Sequence, residues 1–404
     1  MAEITVSRQG SESARRGHPW IYSSAVVHVS SIGVSSSSSS PGGIGSIVSI
    51  TDQERNRIGW GIYDPTSPIA VRVWSLDPKR ELGPDTFVER LRRAIAIRRA
   101  LFADGATTAY RLLNGEGDRT PGFVIDRYGN VAVLRIDGDA ARAASPLLTR
   151  DVEPLLREIG ITTLLERVPI KGEGKEVRVR FGNEVSRVEV REHGVPFLVD
   201  LIKGQKTGAF LDQRENRRRI GALVARRKAA GLGVRVLNLF SYTGGFSQRA
   251  ALAGGIVTSV DIAAPAHATA QESFRLAGID PRAHTFAAAD AFAFLDRAKS
   301  RGESWDVVIS DPPSFAPSER AKPKAISAYR ALHRACASVL SNGGTFVAAS
   351  CSSHISLEEL ASTLDDAALG RSDLRVLELH GSPPDHPTLP SFPEGRYLKL
   401  AILE

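Results

Sequence analysis

Residues 234–250 read VRVLNLFSYTGGFSQRA, and they decide the fold. An apolar run, VRVLNLF, has the composition of a buried strand, and the small-residue turn Ser241-Tyr242-Thr243-Gly244-Gly245 leads straight into a helical stretch, SQRAALAGG. A buried strand passing through a glycine turn into a helix is the first half of a βαβ unit, whose turn presents backbone N–H groups to a ligand. Downstream come IVTSVDI (256–262), HTFAAAD (284–290), WDVVISD (305–311), GTFVAAS (344–350), RVLELHG (375–381) and RYLKLAIL (396–403), most of them separated by helical stretches. A basic helix over Gln213 to Ala230 precedes the first strand. This alternation predicts an α/β, doubly wound, seven-stranded Rossmann-like sheet. Only a Pro-rich loop, SPPDHPTLPSFPEG (382–395), joins the last two strands, so they are expected to close the sheet as an antiparallel hairpin.

A chain of 404 residues exceeds one ordinary core, and three segments suggest themselves. Residues 1–76 carry short alternating runs (ITVSR, GSIVSIT, IGWGIYD, IAVRVWS) and read as a β-rich module. Residues 77–205 read as a middle α+β domain: an Arg-rich helix near Thr86 to Phe102, a helix near SPLLTRDVEPLLREI, and strands GFVIDRY, VAVLRI, TTLLERV and VPFLVDL. Residues 206–404 form the doubly wound domain. Inside the first segment, Ser30 to Gly45 is a Ser/Gly tract with nothing to bury, expected to be a loop. The polar start and the absence of a run of about 18 apolar residues argue against a secretory signal or a membrane span, and the protein is expected in the cytoplasm.

The net charge of +7 suits an anionic partner such as nucleic acid. Arginines cluster at 15–16, at 90, 92, 93, 98 and 99, and at 214 and 217–219, where they form either solvated helix faces or a track for a polyanion. Two cysteines, Cys336 and Cys351, supply neither a disulfide framework nor a zinc cluster, and no metal site is expected.

Ligands of open α/β sheets sit beyond the carboxyl ends of the strands. The 241–245 turn lacks the G-x-G-x-x-G spacing of a dinucleotide site. Asp261, ending the second strand, suits ribose hydroxyls, and Asp290, ending the third, suits an adenine amine; together they favour an adenosyl ligand. The fourth strand ends in Asp311-Pro312-Pro313, whose prolines stiffen the exit and orient the carboxylate. This turn resembles the fourth motif of class I methyltransferases that act on nucleic acids. The fifth strand ends in Ser350-Cys351-Ser352, placing a thiol across the cleft from Asp311. Carbon 5 of a pyrimidine is a poor nucleophile until a thiolate adds to carbon 6. Cys336 shares one helical face with Tyr329, Leu332, Val339 and Leu340 and is expected in the core.

The stretches RRGHPWIYSSAV, GDRTPGFVIDRYGN, EHGVPFLVD, KTGAFLDQRENR, VLNLFSYTGGFS, SVDIA, WDVVISDPPSF, SCSS and FPEGRYLK together resemble the bacterial RlmI-type family of large-subunit ribosomal RNA cytosine carbon-5 methyltransferases. The resemblance spans nearly the whole chain. It implies an N-terminal PUA domain contacting RNA near Arg15 to Trp20, S-adenosyl-L-methionine as cofactor, and ribosomal RNA as partner. It also implies Cys351 as nucleophile and cofactor contacts from Gln213, Ser241, Tyr242, Thr243, Gly244, Gly245, Asp261, Asp290 and Asp311. Asp311 and Glu394 are the candidates for general base. The Ser-rich tract, and Pro265 with its alanines after Asp261, depart from the family pattern. Uracil carbon-5 methylation by the same thiol logic stays open, as does a non-catalytic RNA-binding role. An adenine amino-methyltransferase is disfavoured because Ser314 stands where a stacking aromatic would follow the second proline. Oligomeric state is left open, a homodimer included.

Overall fold

The computed structural model describes residues 2–31, 42–169 and 175–404, so most of the expected Ser/Gly loop lies outside the described residues. The chain forms two compact units. One takes the residues up to Val188 with Asp200–Ala209 and Pro384–Gly395; the other takes Glu189–Val199, Phe210–Pro383 and Arg396–Glu404.

The first unit holds two sheets. One orders its strands β2-β6-β5-β4-β1-β3, from β1 (Ala2–Val6), β2 (Trp20–Tyr22), β3 (Val26–Ser31), β4 (Ile47–Thr51), β5 (Arg57–Tyr63) and β6 (Ile69–Ser75). Helix α1 (Arg8–Arg15) lies within the β-rich segment and has no counterpart among the expected elements. It buries only Gly10, Ser11 and Ala14, so no apolar stripe betrays it, and Ser7 caps it by accepting from the Gly10 N–H. After α2 (Pro84–Leu101), the second sheet runs β11-β10-β9-β8-β7, from β7 (Ala109–Asn114), β8 (Phe123–Tyr128), β9 (Val131–Ile136), β10 (Thr163–Pro169) and β11 (Lys175–Phe181). Its parallel pair, β9 with β10, is joined by a helical crossover, as parallel neighbours require. That crossover is two helices, α3 (Asp139–Leu148) and α4 (Val152–Glu158), where one was expected.

Arg98 shows how this unit is held. It is fully buried on α2, where both guanidinium nitrogens reach Asp118 at 2.9 and 2.7 Å, and it also donates to the carbonyls of Arg111 and Asp385. One member of the expected basic face therefore points inward, whereas Arg92, Arg93 and Arg99 are exposed.

The two-stranded pair β12 (Arg187–Glu192) and β13 (Val195–Asp200) leads to α5 (Arg214–Ala229) and the sheet β16-β15-β14-β17-β18-β20-β19. Its strands are β14 (Arg235–Leu239), β15 (Ile256–Asp261), β16 (Thr285–Ala288), β17 (Trp305–Ser310), β18 (Leu340–Ser350), β19 (Val376–His380) and β20 (Lys399–Leu403). The first five run parallel to one another, and β20 slots antiparallel between β18 and β19, which is the closing hairpin expected. Successive residues point to opposite faces. Leu237, Leu239, Val308, Phe346 and Ala348 pack with residues of α8 (Ala291–Ser300) and α9 (Lys322–Ser338); Val236, Val257, Val307, Ile309 and Val347 pack with α5 and α6 (Gly245–Leu252). Helices on both faces make the sheet doubly wound. Cys336 lies in the first of these layers with no exposed surface, and burial pushes its thiol up to about 12. Among the described residues no helix is long and apolar enough to cross a membrane.

Removing one partner of a buried, hydrogen-bonded ion pair strands the other charge, at a cost of about 3–5 kcal/mol. Arg98→Ala is expected to destabilise the first unit by that amount in urea unfolding; a loss below about 1 kcal/mol would show that Asp118 finds other partners.

Candidate active site

The register brings the strand ends into one row: Ala287, Val260, Leu239, Ser310 and Ala348 are consecutive cross-strand partners. Asp261 and Asp311 stand one residue beyond it, and Asp290, Tyr242 and Cys351 three. From the Asp261 strand to the Cys351 strand is three intervals, about 14 Å at the usual spacing of neighbouring strands.

The turn after β14 is under backbone strain, because Phe240, Tyr242 and Gly244 all have left-handed φ values of 57°, 47° and 75°. Two of the three are bulky aromatics, which rarely adopt this region unless neighbouring contacts hold them there. Here the Tyr242 N–H donates to Asp261 Oδ2 at 2.8 Å and the Ser241 N–H to the Val260 carbonyl at 3.0 Å. Asp261 Oδ1 accepts from the Ala263 N–H at 2.8 Å, so two backbone donors fix its carboxylate. Gly245 begins α6 where a Cβ would stand 2.6 Å from Arg217 Cδ. Thr243 is half-buried in the same turn. Ser241 is buried, its Oγ 3.5 Å from Nε2 of His267 on helix α7 (Ala264–Leu276), whose pKa is lowered by burial. Pro265, the departure noted after Asp261, sits in the first turn of α7, where proline needs no N–H partner.

Asp290 is exposed and caps α8, its Oδ1 accepting from the Ala293 N–H at 2.9 Å. Gln213 is buried; its Nε2 donates to Asp311 Oδ1 at 3.0 Å while its Oε1 accepts from Asn216 at 2.6 Å. The basic helix α5 is less a surface feature than its composition suggests: Arg214 and Arg217 are buried, and Arg217 donates to Glu192 at 2.9 Å. Cys351 is half-buried beside the D-P-P turn rather than across from it, with Sγ 3.9 Å from the Pro312 carbonyl. Glu394 belongs to the first unit, where it accepts from the Tyr22 hydroxyl at 3.1 Å.

Behind Cys351 runs a network that sequence reading missed. The Tyr329 hydroxyl lies 2.9 Å from Ser350 Oγ and 3.2 Å from Ser352 Oγ, and Ser352 Oγ is 2.9 Å from Ser314 Oγ, tying the D-P-P-S turn to the S-C-S turn. The buried Lys399 ammonium donates to the Ser352 carbonyl at 2.7 Å and to that of Ile355, which pins the segment leaving the thiol. Burial lowers Lys399 to about 8, and the charge of Cys351 opposes that shift. A lysine in an otherwise apolar inner strand, KLAIL, was the available signal.

The family model for S-adenosylmethionine-dependent methyltransferases matches residues 177–395. The chain belongs to that family. A PUA-like domain model matches residues 4–76 of the methyltransferase. Full-length relatives include "Ribosomal RNA large subunit methyltransferase" of Deinococcus radiodurans, 36% identical with 99% of this chain and 97% of the relative covered. "Ribosomal RNA large subunit methyltransferase I" of Escherichia coli is 32% identical, with 98% and 97% covered. At these identities over nearly the whole chain, the methyltransferase and these relatives form one family. A solved structure from Streptococcus mutans shares the fold over both whole chains, with TM-score 0.82 and 23% identity. The cofactor fits the row: each Asp261 oxygen accepts one backbone N–H and keeps a further lone pair for a ribose hydroxyl, next to a turn whose glycines let backbone approach closely.

A cation near a thiol favours its thiolate form. Lys399→Met is expected to lower the methyl-transfer kcat by about tenfold or more, the effect of one pKa unit, with cofactor affinity within about twofold of wild type. Unchanged kcat would reduce Lys399 to a packing residue.

Proposed function

We propose that this methyltransferase forms 5-methylcytosine in large-subunit ribosomal RNA in the cytoplasm, with Cys351 as covalent nucleophile. The observation that carries the reading is the placement of a half-buried thiol beside Asp311-Pro312-Pro313, on the strand-end row that also bears Asp261. The names of the full-length relatives support ribosomal RNA as substrate. In this reading residues 1–76 contact RNA, residues 77–205 form the middle domain, and residues 206–404 perform the chemistry.

Gln213, the 241–245 turn, Asp261, Asp290 and Asp311 would hold S-adenosylmethionine, which when bound supplies an electrophilic methyl group. The Cys351 thiolate adds to carbon 6 of the base, and the displaced carbon 5–carbon 6 π electrons make carbon 5 nucleophilic. After carbon 5 is methylated, a base takes its proton. The electron pair so released restores the double bond and expels the Cys351 thiolate. Asp311, oriented by Gln213 at 3.0 Å, is the candidate for that base in the second unit. Lys399 and Tyr329 keep the Ser-Cys-Ser turn in place throughout.

Cys351→Ala is expected to abolish methyl transfer to ribosomal RNA and leave cofactor affinity nearly unchanged, because only the covalent step needs sulfur. Radiolabelled transfer with mapping of the modified position in RNA from a deletion strain against its parent checks both substrate and base. Methylation on uracil carbon 5 would replace the cytosine assignment; full activity in the variant would end the thiol mechanism.

A further inference from the structure

The first unit contains a cavity of about 600 Å³ that the chemistry above does not use. Its wall comes from the turn after α1 (Gly17 to Pro19), the end of β6 (Val73 to Leu76), one side of α2 (Glu89 to Ile97), the turn Gly117 to Arg119, and the Pro387 and Leu389 neighbourhood. Three guanidiniums, those of Arg90, Arg93 and Arg119, line it. Its carboxylates do not balance them: Asp118 is taken by Arg98 at 2.7 Å and Glu89 by Arg80 at 2.6 Å. Arg93 is exposed and has no carboxylate partner among the described residues.

The wall is built around these charges. Arg119 has a left-handed φ of 62°, a conformation a long side chain adopts only when its surroundings hold it. From there its Nη1 donates to the Gly17 carbonyl at 3.3 Å, and a Cβ at Gly17 would meet the same guanidinium at 3.4 Å. Gly117 is fixed as glycine by the Pro387 carbonyl, 1.8 Å from where its Cβ would be. Arg90 donates to the carbonyls of Trp74 and Arg119 and lies over the Trp74 ring, 5.3 Å from its centroid. Crowding shows in the titration of the cluster. Burial lowers Arg90 to about 10 with repulsion from Arg119 adding to it, and burial and then Arg93 lower Arg119. The rest of the wall mixes His18 and Ser75 with apolar residues, of which Leu76 is 37% and Ile97 42% exposed.

Unbalanced guanidiniums beside an exposed apolar wall, in a cavity large enough for a nucleotide, match a phosphate with an attached base or sugar. We propose that this cavity holds one phosphate-bearing nucleotide of the RNA strand, its phosphate on Arg93 and Arg119 and its apolar face against Leu76 and Ile97. The proposal rests on the reading of the protein as an RNA methyltransferase and adds where a strand segment away from the target base is held.

The test uses the full-length protein, a fluorescein-labelled single-stranded fragment of large-subunit ribosomal RNA, and fluorescence anisotropy over a salt series. Arg93→Glu is expected to weaken binding about tenfold near 0.1 M salt and to reduce the slope of log affinity on log salt by about 0.7, the loss of one single-strand phosphate contact. Arg99→Glu, another exposed charge on the same helix but outside the cavity, should stay within about twofold of wild type, as should cofactor affinity in both variants. Equal weakening by both reversals would indicate a general basic surface and overturn the site. Unchanged RNA affinity in Arg93→Glu overturns it too, including the case where that variant loses only cytidine 5′-monophosphate binding and the cavity takes free nucleotides. Wild type that binds no RNA would instead remove the functional reading on which the proposal stands.

Discussion

The parallel register of β15, β14, β17 and β18 is the constraint on which the candidate site depends. Ser310 opposite Ala348, and Leu239 opposite both Val260 and Ser310, put the ends of four strands level, so that short exits of one to three residues bring two carboxylates, a strained turn and a thiol to the same edge. A slip of one residue in β18 would turn every side chain of that strand to the opposite face. The slip is prevented because both faces are buried: Phe346 and Ala348 are packed on one side, Val347 and Ala349 on the other, all without exposed surface. The hydrophobic layers that stabilise the sheet are therefore the same feature that sets where Cys351 emerges.

Polar contacts then refine what the register places. Asp261 holds two backbone N–H groups, one of them from Tyr242 in its left-handed turn, so the loop that would face the cofactor is held from the neighbouring strand. The Ser314–Ser352–Tyr329–Ser350 contacts do the same for the thiol turn, and Lys399 reaches in from the antiparallel strand β20. The closing hairpin thus does more than cover the sheet edge. It delivers a buried ammonium, that of Lys399, behind the thiol.

The sequence was most legible where burial is periodic. The seven strands of the large sheet and the core position of Cys336 follow from apolar spacing, and the antiparallel closure follows from the Pro-rich loop between the last two strands. Legibility failed where stability comes from small residues or from distant partners. Helix α1 buries two small side chains and a glycine, so no apolar stripe marks it. Arg98, Arg214 and Arg217 look like a solvated face because Asp118 and Glu192, which neutralise Arg98 and Arg217, are remote in sequence. Residue types at strand ends named the candidates Asp261, Asp290, Asp311 and Cys351, but could not tell Asp290, an exposed helix cap, from Asp261, a carboxylate fixed by two donors. The hydroxyl network behind the thiol was invisible because it needs three segments brought together in space.

The central claim is that the Cys351 sulfur bonds to carbon 6 of the target base, and fluorine at carbon 5 tests it most directly, since it blocks the proton loss that frees the enzyme. Ribosomal RNA carrying 5-fluorocytidine at the target, incubated with S-adenosylmethionine and wild-type protein, should give a protein–RNA adduct that survives denaturing electrophoresis, with the RNA mass on the peptide containing Cys351. The Cys351→Ala protein should give none. An adduct persisting in that variant, or wild type that methylates cytosine RNA yet traps nothing on the fluorinated substrate, would contradict the account.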